Sequence, residues 1–558
     1  MNSHLREVQH QTINGDVYDY YESLIDKIFS SGEGSDTKFL SFDSSEPPCP
    51  IGPGQFTRLK LTDGSCNLTS FDSSFIILRI KTNLSLTSDG NFDEYFNNNG
   101  MYTREAIKNA PMLFIGLKSG IHAIDHYRFY CDKGRGYVCE QSQAIYESAV
   151  TWFCKSQEEI QGNKGCYTTY DDILECKTSL PGFYLTYGQV ENMIKNHTPL
   201  SVEFEVTIRY DDFAPLQFFR IFPNSVCGNL QMEFKINNNK NFVVCPIPFK
   251  NVVDYLRVND NANYYKLIAN GNEEADITGF IEKEADEVIT HEFTNVLDKF
   301  KAALPLIRCQ TTQPTKIFVP GNFTINISSV GLLSARSYIN GYNISQNSVD
   351  NLRMLFTNHK VYIPAQRIDQ YSFSQTPTST NMTCNTTQSL INSSSIAFMW
   401  PKTANQLTCS ENPMCSSIQL TIDNKTYPDK PFSTYELPHS NFILNNLMFD
   451  DIFKPNHSLE SSLDNSKCGK YKDRTNYLFI VSTERLDSDP YVFDGITKDN
   501  CFITLNGTFN TQQSEYSKSS SKQPPIMFIC QDTVWELSSE GVNYYYNDKN
   551  IIPSISNN

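Results

Sequence analysis

Two short stretches alternate strictly between apolar and polar residues, and this alternation constrains the fold more than any other feature. The first is PLSVEFEVTIRY (199–210), and the second is LQMEFKI (230–236). Because successive side chains of a β-strand point to opposite faces, this period predicts strands with one buried face and one wet face. Strands of that kind are typical of antiparallel sheets.

An apolar segment with two prolines, FAPLQFFRIFPNSVCGNL (213–230), crosses between these two strands and is called the crossing below. Its prolines predict that it does not pair as an ordinary strand. Its phenylalanines must be covered by something, because so many large apolar side chains are rarely left in water.

Short apolar runs separated by turn residues predict strands through the rest of the chain. Aromatic residues make up 13% of the sequence, which also favours sheet. The first half adds FIILRIKT (75–82), PMLFIG and HYRFYC. The second half adds KIFVPGNFTINIS, KVYIPA, SSIAFMW, SIQLTID, NYLFIVST, NCFITLNG and PPIMFIC.

Three segments interrupt the strand pattern and are predicted to be helical. They are DVYDYYESLIDKIFSS near the N-terminus, an insertion at 141–160 and a long amphipathic segment at 280–304. Loops rich in Ser, Thr and Asn are predicted at 371–394 and 453–475.

The predicted divisions of the chain are an N-terminal arm (1–46), a first jelly roll (47–250), a helical connector (251–308), a second jelly roll (309–546) and a C-terminal tail (547–558).

The chain has 558 residues, which is more than one hydrophobic core usually serves. The predicted fold is mainly β, with two consecutive antiparallel eight-stranded jelly rolls, helical insertions and a helical connector. A pair of immunoglobulin domains is disfavoured, because their Cys–Trp–Cys pattern is absent.

The net charge of −16 argues against non-specific binding of nucleic acid, since an acidic surface repels phosphates. The arm is itself acidic. The sequence shows no secretory signal and no apolar run long enough to span a bilayer. We therefore expect synthesis in the cytoplasm and no membrane span.

The 16 cysteines are scattered without a C-x-x-C pair, so reduced thiols are expected rather than a zinc site or disulfides. The 12 N-x-S/T sequons are little more than the Asn, Ser and Thr content would give by chance, and glycosylation is not expected.

Motifs that could carry chemistry are weak. His122 and His126 are spaced for zinc on a helix, but their surroundings predict strand. Gly134-Arg135-Gly136 lacks the other residues of a phosphate loop, and Asp211-Asp212 is expected to be a solvated pair. We predict no catalytic, metal or cofactor-binding residues, no cofactor and no enzymatic activity.

The order of several phrases resembles the double-jelly-roll major capsid proteins of Maverick/Polinton elements, particularly those of protists, and related small DNA viruses. The resemblance covers roughly 50–535, leaving the tail and several loops unmatched. In the first half it rests on PGQFTRLKLTDGSCNLTSFDSSFIILRIKT, FIGLKSGIHAIDHYRFYCDKGRGYVCEQSQAIYESAVTWFCKSQEE and PLSVEFEVTIRYDDFAPLQFFRIFPNSVCGNLQMEF. In the second half it rests on KVYIPAQRIDQY, AFMWPKTANQLTCSENP, YPDKPFSTYE and RTNYLFIVSTERLDSDPYVFDGITKDNCFITLNG.

The resemblance implies a structural protein that forms homotrimers and pseudo-hexagonal capsomers and encloses a DNA genome in an icosahedral virion capsid, assembled in cytoplasm or nucleus. It implies neighbouring capsomers and a single-jelly-roll penton protein as partners. The arm would lie beneath the shell or tie capsomers together, and the two long loops would form outward towers. The candidate subunit interface lies on the crossing, at Phe213, Phe218, Phe219 and Phe222.

Two alternatives stay open. The crossing could cap the core of its own chain instead of contacting a neighbouring subunit. The whole protein could be a cell-surface or secreted adhesion glycoprotein with tandem sandwiches, which its sequons and cysteines would suit.

Overall fold

A computed structural model shows that the chain is mainly β, with antiparallel pairing in every strand pair it describes. The predicted fold class is confirmed in this respect. The residues that the structure describes are 11–12, 15–32, 36–44, 49–88, 108–133, 137–142, 162–163, 165–217, 219–237, 242–247, 259, 307–309, 315–319, 323–401, 413–433, 479–483, 492–493, 495–510, 516 and 522–545.

The strands of the first half and of the long segment that follows it are β1 (Gln11–Thr12), β2 (Asp36–Asp43), β3 (Phe56–Lys60), β4 (Leu68–Ser88), β5 (Pro111–Gly116), β6 (Ile124–Cys131), β7 (Tyr137–Ser142), β8 (Gly182–Thr186), β9 (Leu200–Arg209), β10 (Ile221–Phe222), β11 (Leu230–Ile236), β12 (Phe242–Pro246), β13 (Ile307–Cys309), β14 (Thr315–Val319) and β15 (Phe323–Asn343).

The remaining strands are β16 (Val361–Ser372), β17 (Asn381–Met399), β18 (Cys415–Ile422), β19 (Lys425–Phe432), β20 (Phe479–Ser482), β21 (Val492–Phe493), β22 (Ile496–Phe509), β23 (Ile526–Ser538) and β24 (Gly541–Tyr545). The α-helices are α1 (Gly15–Ser30), α2 (Tyr170–Leu174), α3 (Tyr187–Asn196), α4 (Asn224–Cys227) and α5 (Gln346–Asn358).

The two alternating stretches form the predicted one-sided strands. In β9, Phe204, Val206 and Ile208 are buried, and in β11 every second residue from Leu230 to Ile236 is buried. The strands predicted from the other apolar runs are confirmed as well. The period of two therefore set which face of each strand packs on the core.

The first half contains two four-stranded sheets, one in the order β3–β11–β6–β7 and the other in the order β13–β12–β5–β8. The second half is built on an eight-stranded sheet. Six of its strands follow the order β16–β23–β17–β22–β18–β19, and the other two are β20, which pairs with β17, and β24, which pairs with β23. One core packs under the first-half sheets and a second core, around Trp400, packs under the eight-stranded sheet.

A fourth large sheet joins residues from both sides of the predicted connector. Strands β4 and β15 each have 21 residues and pair antiparallel, from Phe323 opposite Ser88 to Tyr342 opposite Leu68. Strands β9 and β2 flank them on either side. The predicted division at 309 stays a prediction, but strand pairing crosses it.

The arm predicted at 1–46 is in large part integrated into the body of the chain. Helix α1 buries Tyr21, Ile25 and Ile28, which share one stripe, and β2 pairs with β15 along eight residues. The predicted helix is confirmed and the strand was missed, because the partner of β2 lies about 300 residues away. The described part of this segment therefore packs on the rest of the chain, and the division at 1–46 stays a prediction. Residues 1–10 lie outside the described residues.

The predicted loop at 371–394 is wrong for most of its length, because β17 begins at Asn381. Thr383, Thr387 and Ser389 are exposed, whereas Met382, Cys384 and Leu390 are buried. Asn392, Ser393 and Ser394, at the end of the predicted loop, are buried as well. Composition suggested a loop, but threonine favours strands and the inward residues anchor this one. The loop at 453–475 and the helix predicted at 280–304 lie outside the described residues. Of the helix predicted at 141–160, only Gln141 and Ser142 are described, and both belong to β7.

Candidate subunit interface

The buried carboxylate of Asp212 holds the backbone in place where the crossing begins. After β9, residues Tyr210–Asp212 form a 3-10 turn in which the Asp212 carboxylate accepts a hydrogen bond from the Arg209 backbone N–H at 3.0 Å. It also accepts one from the Tyr167 hydroxyl, and burial together with this carboxylate raises the pKa of Tyr167. Asp212 is buried, so the predicted solvated pair is wrong for this residue, whereas Asp211 is half-buried and binds Arg209.

Three of the four candidate interface residues are covered by their own chain. Phe213, Phe219 and Phe222 are 0%, 2% and 0% exposed. Phe219 and Phe222 pack on Phe71 with ring centroids 5.5 and 5.6 Å apart, and Phe213 packs edge-on against Tyr127 at 5.0 Å.

A side chain without exposed surface offers nothing to a second subunit. The structure therefore does not place the interface at Phe213, Phe219 or Phe222, and the alternative of a crossing that caps its own chain fits these residues. Phe218 lies outside the described residues, so the prediction stays open for it alone.

The crossing covers the seam between the two halves of the chain. Trp535, from β23 of the second half, packs edge-on against Phe219 with centroids 5.4 Å apart and donates its indole N–H to the carbonyl oxygen of Pro215. Its other neighbours include Tyr544 at 4.8 Å and Phe129 at 6.3 Å. Aromatic residues from both halves thus form a single cluster.

Helix α1 lies over the same seam. The Tyr21 hydroxyl donates to the Ile221 carbonyl at 2.9 Å, and its ring contacts Phe356 of α5 at 5.7 Å. A small pocket beside it, partly lined by Arg220 and Ile363, has room for about one water molecule. This pocket is too small to be a substrate site.

An exposed aromatic stack lies on the outer face of the sheet that joins the halves. We call Phe39 of β2, Phe75 of β4 and Tyr338 of β15 the aromatic flank. Tyr338 stacks on Phe75 with centroids 4.9 Å apart and on Phe39 at 5.7 Å. Phe39 is 62% exposed. Three neighbouring strands therefore present aromatic rings to solvent at one place.

Ion pairs stand at the edge of the aromatic flank. Arg336 binds Asp43 with a nitrogen–oxygen distance of 2.6 Å, and Arg79 binds Glu203 at 2.8 Å. All four side chains are largely exposed, so each pair adds little to stability. An apolar aromatic centre with a charged rim is the usual composition of a protein–protein contact.

The sequence carries a signal for this surface in a run of apolar residues on β4. The run Phe75-Ile76-Ile77-Leu78 is continuously apolar, whereas a strand with one wet face should alternate. Ile76 and Leu78 are buried in the core, and Phe75 and Ile77 point outward and are half-buried. The second apolar face was the sign that this part of the sheet is suited to contact another surface.

No protein-family model and no curated protein matches the chain. Among solved structures it is similar to the mavirus major capsid protein, at 9% identity and a TM-score of 0.46, covering 91% of this chain and 90% of that one. It is similar to a chain of the Sputnik virophage, at 9% identity and 0.44, covering 93% and 90%. It is also similar to PBCV-1 VP54 fitted into a reconstruction of Sputnik, at 8% and 0.43, covering 92% and 97%.

The residues considered for metal chemistry do not converge. His122 is buried in a 3-10 turn, and His126 lies on β6 against Glu140, with 2.5 Å between nitrogen and oxygen. Among the residues that the structure describes, no three His, Cys, Asp or Glu side chains are grouped to hold a metal ion. The described helices include none that could cross a lipid bilayer.

Twelve cysteines have side chains that the structure describes; all twelve are thiols, and all of them but Cys49 are buried. Burial raises the pKa of Cys176 and of Cys384 from 9.0 to about 12. A group with a raised pKa stabilises the fold at pH values below its unfolded pKa, so this contribution should be lost as the pH rises from about 9 to about 12.

We expect iodoacetamide at pH 8 to modify Cys49 in the native protein and to leave Cys176 and Cys384 unmodified, because only an accessible thiolate reacts. Peptide mass spectrometry would measure the labelling, with the protein in denaturant as the control in which all three react. Equal native labelling of Cys176 and Cys49 would contradict the described burial.

Proposed function

We propose that the chain is a structural major capsid protein that trimerises through its flanks and tiles an icosahedral shell around a DNA genome. The observation that carries the proposal is the aromatic flank, in which the exposed Phe39 stacks with the half-buried Phe75 and Tyr338 on three adjacent strands. Interfaces draw most of their binding energy from a few aromatic residues near the centre of the contact.

The sheet that carries the aromatic flank is suited to a rigid subunit of a shell. It is anchored in both halves through the pairing of β4 with β15, and the aromatic cluster at Trp535 holds the halves together beneath it. A contact on such a sheet loses little conformational entropy when it forms, because its backbone is already fixed.

The order of sequence phrases supports the same function, and the similar structures are capsid proteins by their titles or belong to virus particles. On this proposal the role is structural rather than catalytic, and the protein resides in the virion capsid. Neighbouring capsomers and a penton protein would be its partners. With a net charge of −16, the shell would enclose DNA rather than grip it.

Replacing Phe39 with Asp is expected to weaken trimer formation by at least about 30-fold, the effect of a hot-spot residue worth about 2 kcal/mol. The monomer should keep its fold, because the side chain is exposed in the isolated chain. Mass photometry across a dilution series would measure the trimer fraction, and circular dichroism would confirm folding.

The matched control is Met354→Asp, which charges an equally exposed apolar residue on α5, at 63% exposure. This variant should assemble as the unmodified chain does. Unchanged trimers in Phe39→Asp, or equal loss in both variants, would contradict an interface at the aromatic flank. A chain that stays monomeric under all conditions would contradict the capsid proposal itself.

The alternative of a secreted adhesion glycoprotein is not favoured. Of the twelve cysteines whose thiols the structure describes, eleven are buried, which suits a chain that folds in a reducing compartment. Intact-mass measurement of the purified protein would decide between the classes. Unmodified asparagines and reduced thiols are expected for the capsid protein.

A further inference from the structure

The outer face of the second-half sheet carries a regular array of uncharged polar side chains. Strands β17, β22 and β18 lie side by side, and their inward residues form the second core. Outward residues fall into rows across the three strands. Thr383, Asn506 and Gln419 form the central row. In the strand register, Asn506 lies opposite Thr383 of β17 and opposite Gln419 of β18.

Two further rows flank the central one. Asn385, Thr504 and Thr421 form the row on one side. On the other side, Thr508 lies opposite Asn381 and Ser417. We call these three rows the neutral face. Strand geometry sets neighbours within a row about 4.8 Å apart and successive rows about 7 Å apart.

The three rows differ in charge from the outer face of a first-half sheet. On the outer face of the β3–β11–β6–β7 sheet, one row reads Arg58, Glu233, Arg128 and Glu140. The nitrogen–oxygen distances along it are 3.7, 3.6 and 2.9 Å. Outward strand positions of this acidic chain therefore carry charges readily, whereas the three rows of the neutral face carry none.

The chemistry of the neutral face defines what it could bind. Hydroxyl and amide groups each donate and accept hydrogen bonds, as the hydroxyl groups of a sugar do. The three rows carry no charge to attract or repel an ionic ligand, and the charges beside Phe502 are those of Asp423 and Lys498, which bind each other at 2.5 Å. Beside these rows, Phe502 lies opposite Thr387 and is 49% exposed, so it offers an apolar surface next to the polar array.

We propose that the neutral face binds a neutral polysaccharide, with Asn506 and Thr383 at the centre of the contact and Phe502 packing against the carbon-bound face of a sugar ring. A regular array of uncharged donors and acceptors matches an extended, hydroxyl-rich chain better than it matches a charged or apolar partner. This inference does not depend on the proposed shell function.

Affinity electrophoresis of the full-length protein through gels that contain dextran, laminarin or mannan tests the proposal. At least one of these neutral polysaccharides should retard the unmodified protein, and heparin should not. Asn506→Asp places a charge in the central row and should weaken the retardation at least 10-fold. Phe502→Ala removes the ring and should weaken it as well.

The control is Ser201→Asp, which charges an exposed outward residue of β9 on another sheet and should leave the retardation unchanged. The proposal is overturned if none of the three polysaccharides retards the protein, or if Ser201→Asp and Asn506→Asp act equally. It is also overturned if Asn381, Asn385 or Asn506 proves to carry a covalent glycan, or if Asn506→Asp abolishes assembly, which would make the face a contact with a second copy.

Discussion

Replacing Trp535 with alanine is expected to lower the free energy of unfolding by about 3–5 kcal/mol, the usual cost of removing a buried Trp. The side chain is fully buried, and its ring packs on aromatic residues of both halves. Its indole N–H bonds to the Pro215 carbonyl, which would be left without that donor. Chemical denaturation followed by far-UV circular dichroism measures the loss.

Trp400→Ala is the matched control, because Trp400 is equally buried but packs within the second core on Phe398 and Phe479. Both variants should lose stability, but in different places. Hydrogen exchange should rise in β6 and in β23 for Trp535→Ala, whereas Trp400→Ala should leave β6 protected. Unchanged protection of β6 in Trp535→Ala would show that the seam does not couple the halves.

Gly228→Ala is expected to cost about 3 kcal/mol or more, because two independent effects add. Gly228 has φ +89° and ψ −172°, a region that only glycine adopts without strain of about 1–3 kcal/mol. A Cβ at this position would also lie 2.2 Å from a carboxylate oxygen of Asp132. That carboxylate is fixed by hydrogen bonds from the backbone and side chain of Asn229, at 2.6 and 2.8 Å, so it cannot move aside without loss.

Gly52→Ala provides the comparison, since an added Cβ at Gly52 would meet nothing within 4 Å. Its unfolding midpoint should stay close to that of the unmodified protein. If the two variants have the same midpoint in urea, the backbone at Gly228, at the end of the crossing, is not held rigidly in place.

The strands with local periodicity could be predicted from the sequence, because their inward residues repeat every second position. This holds for β9 and β11, and the apolar runs placed most of the other strands. The same reasoning failed at β17, where outward Ser, Thr and Asn residues suggested a loop although Met382 and Cys384 face the core. Composition describes which residues meet water, but not whether the backbone beneath them is paired.

What could not be predicted depends on partners that are distant in the sequence. The crossing was recognised as apolar, but nothing near Phe219 indicated that Trp535, more than 300 residues later, would cover it. In the same way, β2 pairs with a strand about 300 residues away. The candidate interface was placed on buried residues for this reason, and the exposed Phe39 was overlooked.

The pairing of β4 with β15, together with the position of Trp535, determines when the chain can finish folding during its synthesis. One edge of β4 pairs with β9, but the other edge lacks its full partner until residue 343 has left the ribosome. The first core is not closed until residues 535–544 have followed. A polypeptide truncated anywhere before this point would therefore expose an open sheet edge and unsealed apolar surface, which chaperones and proteases recognise. Only chains translated past residue 544 could complete this core, and shorter products would be removed.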